Sequence, residues 1–306
     1  MSFSSTIKDE LAEAADSRDH CRLAFLAAVT AFIGRYAENT GFVWSSENLK
    51  VLETVRKVLK KLFGAESVLL SEKNSRNADF FTLTPEAEDP DELKEALQAE
   101  NFTALMAEGR FLSSFTKKNC CVRAALRGAF LAAGTLSNPD RFYHFEIVCR
   151  TKPGAEETAG LIERLGIHAR IIKRKASFVV YVKDSDGISD LLGYMGASRG
   201  MLEMENARII RQTRGNVNRK VNCETANINK TANASARQIE DILFIEEKTG
   251  LEFLPNGLDE TARLRIKYPE YSLQELGQLH SPPISKSGVT HRLAKISGIA
   301  ESLKSE

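Results

Sequence analysis

Cys121-Val122-Arg123-Ala124-Ala125-Leu126-Arg127-Gly128-Ala129-Phe130-Leu131-Ala132-Ala133-Gly134 is the stretch that decides the fold, because the chain carries a second version of it. At an offset of 100 residues stands Cys21-Arg22-Leu23-Ala24-Phe25-Leu26-Ala27-Ala28-Val29-Thr30-Ala31-Phe32-Ile33-Gly34. Cysteine, Ala24/Ala124, Leu26/Leu126 and Gly34/Gly134 coincide without a gap. Self-similarity at a fixed offset marks a duplicated structural unit. Both copies are helical in composition, and each closes on a glycine that suits a helix C-terminal cap. Ala24 and Ala28, Ala27 and Ala31, Ala125, Ala129 and Ala133, and Gly128 and Ala132 recur at helical spacing. Small residues on one stripe let two backbones approach, so the two helices are expected to cross at a central pseudo-twofold.

The flanks repeat as well. After Gly34 the patterns predict a strand over Gly41–Ser45, an amphipathic helix over Leu49–Phe63, strands near Ser67–Ser71 and Ala78–Thr84, and a helix near Pro90–Glu100. After Gly134 they predict a strand over Tyr143–Thr151, a helix over Ala155–Leu165, strands over His168–Lys173 and Ser177–Lys183, and a helix over Gly187–Met195. The class is α+β.

LRGAFLAAG at Leu126–Gly134 resembles the LAGLIDADG motif of homing endonucleases, and LAAVTAFIG at Leu26–Gly34 resembles it more weakly. The resemblance implies a duplicated αββαββα domain whose two motif helices form the interface between halves and whose sheets grip DNA. It also implies a metal-binding acid just before each final glycine. Here those positions are Ile33 and Ala133, and the motif's other acidic position is Ala31 and Leu131. Neither pair can hold a cation for two-metal hydrolysis. We therefore expect no catalytic residues and no enzyme, although an active nuclease is the rival to be tested.

Other chemistry is not signposted. His20, His144, His168, His280 and His291 are scattered without metal-ligand spacing, and no Ser/His/Asp set can be assembled. The five cysteines form no CxxC pair, so buried or unreactive thiols in a reducing cytoplasm are expected and a zinc site is not. Cys120 and Cys121 are expected at the start of a packed helix. No cofactor is anticipated. The polar, acidic N-terminus is unlike a signal peptide, and no apolar run reaches the ~18 residues of a membrane span.

Formal net charge is +1, but its distribution is uneven. Residues 1–109 carry 12 basic and 19 acidic side chains, whereas residues 110–175 carry 13 and 5. Arg208, Arg211, Arg214, Arg219 and Lys220 then follow with no acid between Asn206 and Asn222. Such asymmetry suits a protein that lays one face on phosphates, though solvated helix faces share it. The acidic first half leaves room for a protein partner there instead.

Residues 206–233 turn basic and asparagine-rich and read either as phosphate- and base-contacting or as a polar linker with capping asparagines. Beyond them a helical domain is expected over 234–306, starting with Ala234–Thr249 and Asp259–Lys267. Ser272-Leu273-Gln274-Glu275 is a capping box that opens a short helix, and Ser281-Pro282-Pro283 stops it. Ser285 is the expected N-cap of a second helix with Val289, Leu293 and Ile296 inward. Its open face holds Lys286, Ser287, Thr290, His291, Arg292 and Lys295. This pattern describes a helix-turn-helix, whose second helix enters the major groove of double-stranded DNA. A three-helix bundle without DNA, in a pure protein-interaction scaffold, is the plainer alternative.

Together RKVNCETANINKT (Arg219–Thr231), SLQELGQLHSPPISKSGVTHRLAKI (Ser272–Ile296) and the paired repeat resemble the WhiA family of Gram-positive bacteria. The resemblance covers nearly the whole chain. It implies a catalytically dead LAGLIDADG domain over 1–205, with halves of about 1–105 and 106–205, followed by the helix-turn-helix. It further implies a cytoplasmic, nucleoid-associated regulator of transcription linked to sporulation, or to cell division and chromosome segregation.

Overall fold

A computed structural model describes residues 2–14, 16–39, 41–73, 77, 79–86, 90–255 and 257–305. The chain divides into two units, residues 1–212 and 213–306.

The first unit opens with α1 (Phe3–Glu13), capped by Ser2, then α2 (Asp19–Ile33), β1 (Gly34–Ala37), β2 (Gly41–Ser46), α3 (Leu49–Phe63), β3 (Glu66–Lys73) and β4 (Asp79–Glu86). Three short helices, α4 (Pro90–Ala96), α5 (Phe102–Glu108) and α6 (Phe111–Phe115), bridge to the second half. That half runs α7 (Asn119–Ala133), β5 (Gly134–Leu136), β6 (Phe145–Cys149), α8 (Lys152–Glu163), β7 (Arg170–Arg174), β8 (Ser177–Val182) and α9 (Ser185–Met195). Each half forms a four-stranded antiparallel sheet with the same order, β1-β2-β4-β3 and β5-β6-β8-β7. The duplication read from the sequence is thus a duplication of topology. Ala78, part of one expected strand, lies outside the described residues.

The repeat helices α2 and α7 pack along one another at the centre of this unit. Ala24, Ala27, Ala28, Ala124, Ala125 and Ala129 are all at most 1% exposed. The backbones come close at Gly128, where an added Cβ would stand 2.7 Å from the Phe25 carbonyl oxygen. Arg127, buried in the same helix, donates from Nη1 to the Met195 carbonyl at 3.0 Å and from Nη2 to Asp16. Pairing and hydrogen bonding are what make a buried guanidinium tolerable. Each sheet lays its inner face on the helix pair. Phe42, Trp44 and Leu83 do so in the first, and Phe145, Ile147, Val180 and Val182 in the second. Trp44 Nε1 donates to Thr30 Oγ1 at 2.9 Å, and the Phe130 and Phe145 rings stack at 5.0 Å.

Gly34 and Gly134 are the C-caps of α2 and α7, their N–H groups donating to the Thr30 and Phe130 carbonyls; their backbones are extended (φ −80° and −86°), and each is also the first residue of a strand. Glycine is needed there because an added Cβ at Gly34 would lie 2.6 Å from the Thr30 carbonyl oxygen, and one at Gly134 would overlap the Phe130 ring. Residues 206–233, read as contacting DNA or as a polar linker with capping asparagines, hold no short capped helices. They lie inside one 52-residue helix, α10 (Ser198–Thr249).

The second unit comprises the remainder of α10, α11 (Leu258–Lys267), α12 (Leu273–Gln278) and α13 (Lys286–Ser305). Ile242 and Ile245 of α10 meet Leu251, Leu254, Leu258, Ala262, Leu276, Val289, Leu293, Ile296 and Ala300 in a separate core. No helix among the described residues is long and apolar enough to cross a membrane.

Candidate nucleic-acid interface

The capping box expected at Ser272 is present in both directions. Ser272 Oγ accepts from the Glu275 N–H at 3.3 Å, and the Glu275 carboxylate accepts from the Ser272 N–H at 2.8 Å. These bonds hold the Glu275 carboxyl below the usual carboxylate range. After α12 the chain doubles back tightly: the Ile284 N–H donates to the Gly277 carbonyl at 2.9 Å, where an added Cβ at Gly277 would overlap the Ile284 carbonyl oxygen. His280, 3% exposed, lies beneath the turn with its Nδ1 2.9 Å from the Leu276 carbonyl oxygen and its Nε2 2.8 Å from Thr261 Oγ1. Ser285 Oγ then accepts from the Gly288 N–H at 3.2 Å and starts α13. Val289, Leu293 and Ile296 are 0–2% exposed, as their spacing required.

That commitment of one stripe to the core sets what the other presents. Ser285, Lys286, Ser287, Thr290, His291 and Lys295 are all exposed. The Thr290 hydroxyl donates to the Lys286 carbonyl at 2.9 Å, and the Ser285 and Ser287 hydroxyls lie 2.9 Å apart. Arg292 departs from the expected open face. Its Nη1 donates to the Gly257 carbonyl at 2.9 Å and lies 3.4 Å from Thr261 Oγ1, tying α13 to the start of α11.

The basic segment of α10 divides in the same way. Arg208 forms ion pairs with Asp186 and with Glu205 (2.8 Å). Arg211 donates to the carbonyls of Asp140 (3.0 Å) and Arg141 (2.7 Å) and lies over the Tyr143 ring. Both are engaged by partners within the first unit. Arg214, Arg219 and Lys220 are exposed, with Arg219 Nη2 donating to Asn216 Oδ1 at 2.5 Å. A cleft of about 300 Å³ in the second unit brings Lys230 and Gln238 of α10, which no local pattern marks as site residues, together with Ser272 and Lys286, which the capping box and the open face of α13 do mark.

The comparisons with known proteins bear on this arrangement. Residues 217–300 match the family model described as the WhiA C-terminal HTH domain, and residues 122–214 match the WhiA LAGLIDADG-like domain. A probable cell division protein WhiA from Lachnoclostridium phytofermentans is 40% identical over 314 residues, spanning 99% of this chain and 100% of that protein. A probable cell division protein WhiA from Clostridium botulinum is 39% identical over 312 residues, spanning 99% of each. The chain belongs to the WhiA family. Its fold agrees: the crystal structure of full-length DUF199/WhiA from Thermatoga maritima covers 99% of both chains at a TM-score of 0.62 and 27% identity.

Within this WhiA-family chain the two halves of the LAGLIDADG-like domain differ in charge. The outer face of the second sheet carries Arg170, Arg174 and the ring of Tyr181, with Lys183 Nζ 5.2 Å from that ring's centroid. Glu146 answers Arg174 at 2.8 Å and lies 3.1 Å from His144 Nε2. Burial raises the Glu146 pKa, but the bonds from Arg174 and His144 outweigh it and hold the carboxyl below its ordinary range. The outer face of the first sheet instead exposes Val68 and Leu70 beside Glu66 and Glu72. Ile33 and Ala133, where the LAGLIDADG resemblance places metal-binding acids, end α2 and α7 as apolar side chains.

The cysteines follow expectation only in part. Burial pushes the Cys149 thiol up to about 11 and the Cys21 thiol up to about 12. Yet His20, Cys21, Cys120 and Cys121 are not scattered: they converge at the starts of the two repeat helices.

Proposed function

We propose that this chain is a sequence-specific double-stranded-DNA-binding regulator acting in cell division, chromosome segregation or sporulation, and that it cleaves no phosphodiester bond. The carrying observation is the first two turns of α13, where Lys286, Ser287, Thr290 and His291 are exposed while Val289 and Leu293 are buried behind them. A helix held in this way offers its N-terminal residues to base edges in the major groove. Lysine pairs with guanine acceptors, and hydroxyls and imidazole with either donors or acceptors. Lys295, further along α13, and Arg214, Arg219 and Lys220 on α10 take the phosphate role, which adds affinity without sequence preference. Ser285 caps α13, and the helix N-terminus it fixes suits phosphate oxygens, while Ser272, exposed at the cap of α12, contributes its hydroxyl. A protein of this kind acts at the nucleoid in the cytoplasm. Relatives that are probable cell division proteins support the biological setting.

A protein partner for the first unit is the second reading. It is favoured by the outer face of the first sheet, where acidic and apolar side chains suit a protein better than phosphate. The test of DNA reading is selection of the full-length protein on a randomised duplex library. Enrichment of one motif, lost in a Ser287→Ala, His291→Ala double variant, is expected. Retention without enrichment at physiological salt would refute sequence-specific reading.

A further inference from the structure

We propose that His20, Cys21, Cys120 and Cys121 form a structural zinc site that clips the two halves of the first unit together. Helix α2 begins at Asp19 and α7 at Asn119, so each helix contributes its second and third residues. The pairs stand at the same offset of 100 as the repeat itself, and the pseudo-twofold brings them face to face. His20 Nδ1 lies 3.2 Å from Cys121 Sγ and 3.3 Å from Cys21 Sγ, and all four donor atoms lie within 4.8 Å of one another. A tetrahedral zinc with Zn–S of about 2.3 Å and Zn–N of about 2.0 Å needs donor separations of roughly 3.5–3.8 Å. Small side-chain rotations therefore suffice, with no backbone rearrangement.

The chemistry of the donors selects the ion. Three thiolates and an imidazole are a soft, closed Cys₃His set, suited to zinc and unsuited to magnesium or calcium. The three cysteines carry no disulfide, so every sulfur is available as a ligand. Binding converts three thiols to thiolates and releases three protons, leaving the complex with one net negative charge. The positive ends of both helices face that charge, and Arg18 and Lys118 stand at the two N-caps. Cys21 and Cys121 are 5% and 4% exposed, whereas His20 and Cys120 reach the surface and leave the ion a way in.

This is not the endonuclease metal position. Ile33 and Ala133 lie at the other ends of the same helices, about 20 Å away at 1.5 Å per residue. Nor is it a catalytic zinc, since four protein ligands leave no place for water. Its effect is to close a loop of some 100 residues between the two helix starts, which favours the folded state.

The experiment uses the full-length protein, purified in a non-thiol reductant and freed of loosely held metal by gel filtration. We expect one zinc per chain by elemental analysis. After zinc removal, cobalt(II) should give the intense charge-transfer and d–d bands of a tetrahedral thiolate site. His20→Ala and Cys120→Ser, at partly exposed positions, should each lower zinc affinity at least about tenfold, whereas Cys149→Ser and Cys223→Ser should retain it. Absence of zinc together with no cobalt spectrum would overturn the proposal without recourse to any variant. So would unchanged zinc content in both ligand variants.

Discussion

Gly128 shows how much a single atom decides at the residue scale. Alanine would gain about 1 kcal/mol of helix propensity over glycine. Its Cβ, however, would meet the Phe25 backbone at 2.7 Å, and overpacking of that kind costs about 1–3 kcal/mol. Gly128→Ala is therefore expected to lower thermal stability, measured by calorimetry; a rise would mean that the helix pair is looser than described. Glu146 carries a pH dependence. Its folded-state pKa is depressed, so the stability it contributes is present above the unfolded carboxylate value and is lost as pH falls through the folded one. Replacing it with glutamine should cost stability at neutral pH and nothing once the wild-type carboxyl is protonated, as read from denaturation midpoints across the acid range. Residue types alone could not have shown that Arg208, Arg211 and Arg292 find partners within the protein. A cation counts the same in a sequence whether it meets a phosphate or a carbonyl, and only the partners brought close by folding distinguish the two.

At the scale of elements, legibility followed burial. Helix α3 matches its predicted bounds because Val51, Leu52, Val55 and Leu59 form one buried stripe between an Asn48 cap and a left-handed Gly64. Strands β1 and β5 were hidden because they begin on the same glycines that cap the preceding helices. Helix α10 was hidden for the opposite reason: its middle is exposed, with Val217, Val221 and Ile228 each more than half exposed, so no buried period marks it. Asparagine and β-branched residues there are also poor helix formers. The helix-turn-helix was legible because capping box, tight turn and apolar stripe are all local signals. It follows that Arg292→Ala should act through the fold of the second unit. We expect a cost of about 1 kcal/mol from the lost hydrogen bond to the Gly257 carbonyl, with a lowered Tm. Lys295→Ala, on the open face, should leave stability within about 0.5 kcal/mol of wild type.

At the scale of the molecule, the duplicated scaffold and the helix-turn-helix unit are matched by separate family models. The repeat at one fixed offset made the first unit's symmetry visible, and its small residues gave the central helix pair. The convergence of His20 with three cysteines was not visible, because adjacent ligands on two distant helices produce no spacing motif. Purified protein is expected to leave supercoiled plasmid intact in magnesium or manganese, since Ile33 and Ala133 offer no oxygen to a cation. Metal-dependent nicking would show that other acids have taken over their role. The central claim, that α13 reads sequence, is tested most directly by duplex affinity at two salt concentrations for two double variants. Ser287→Ala, His291→Ala should weaken binding by about 1–3 kcal/mol on the selected site only, with an unchanged salt slope. Lys220→Ala, Lys295→Ala should weaken selected and random duplexes alike and reduce the slope by about one unit for each phosphate no longer neutralised. Equal weakening on both duplexes for the first pair, or no change for either with the fold intact, would contradict the account.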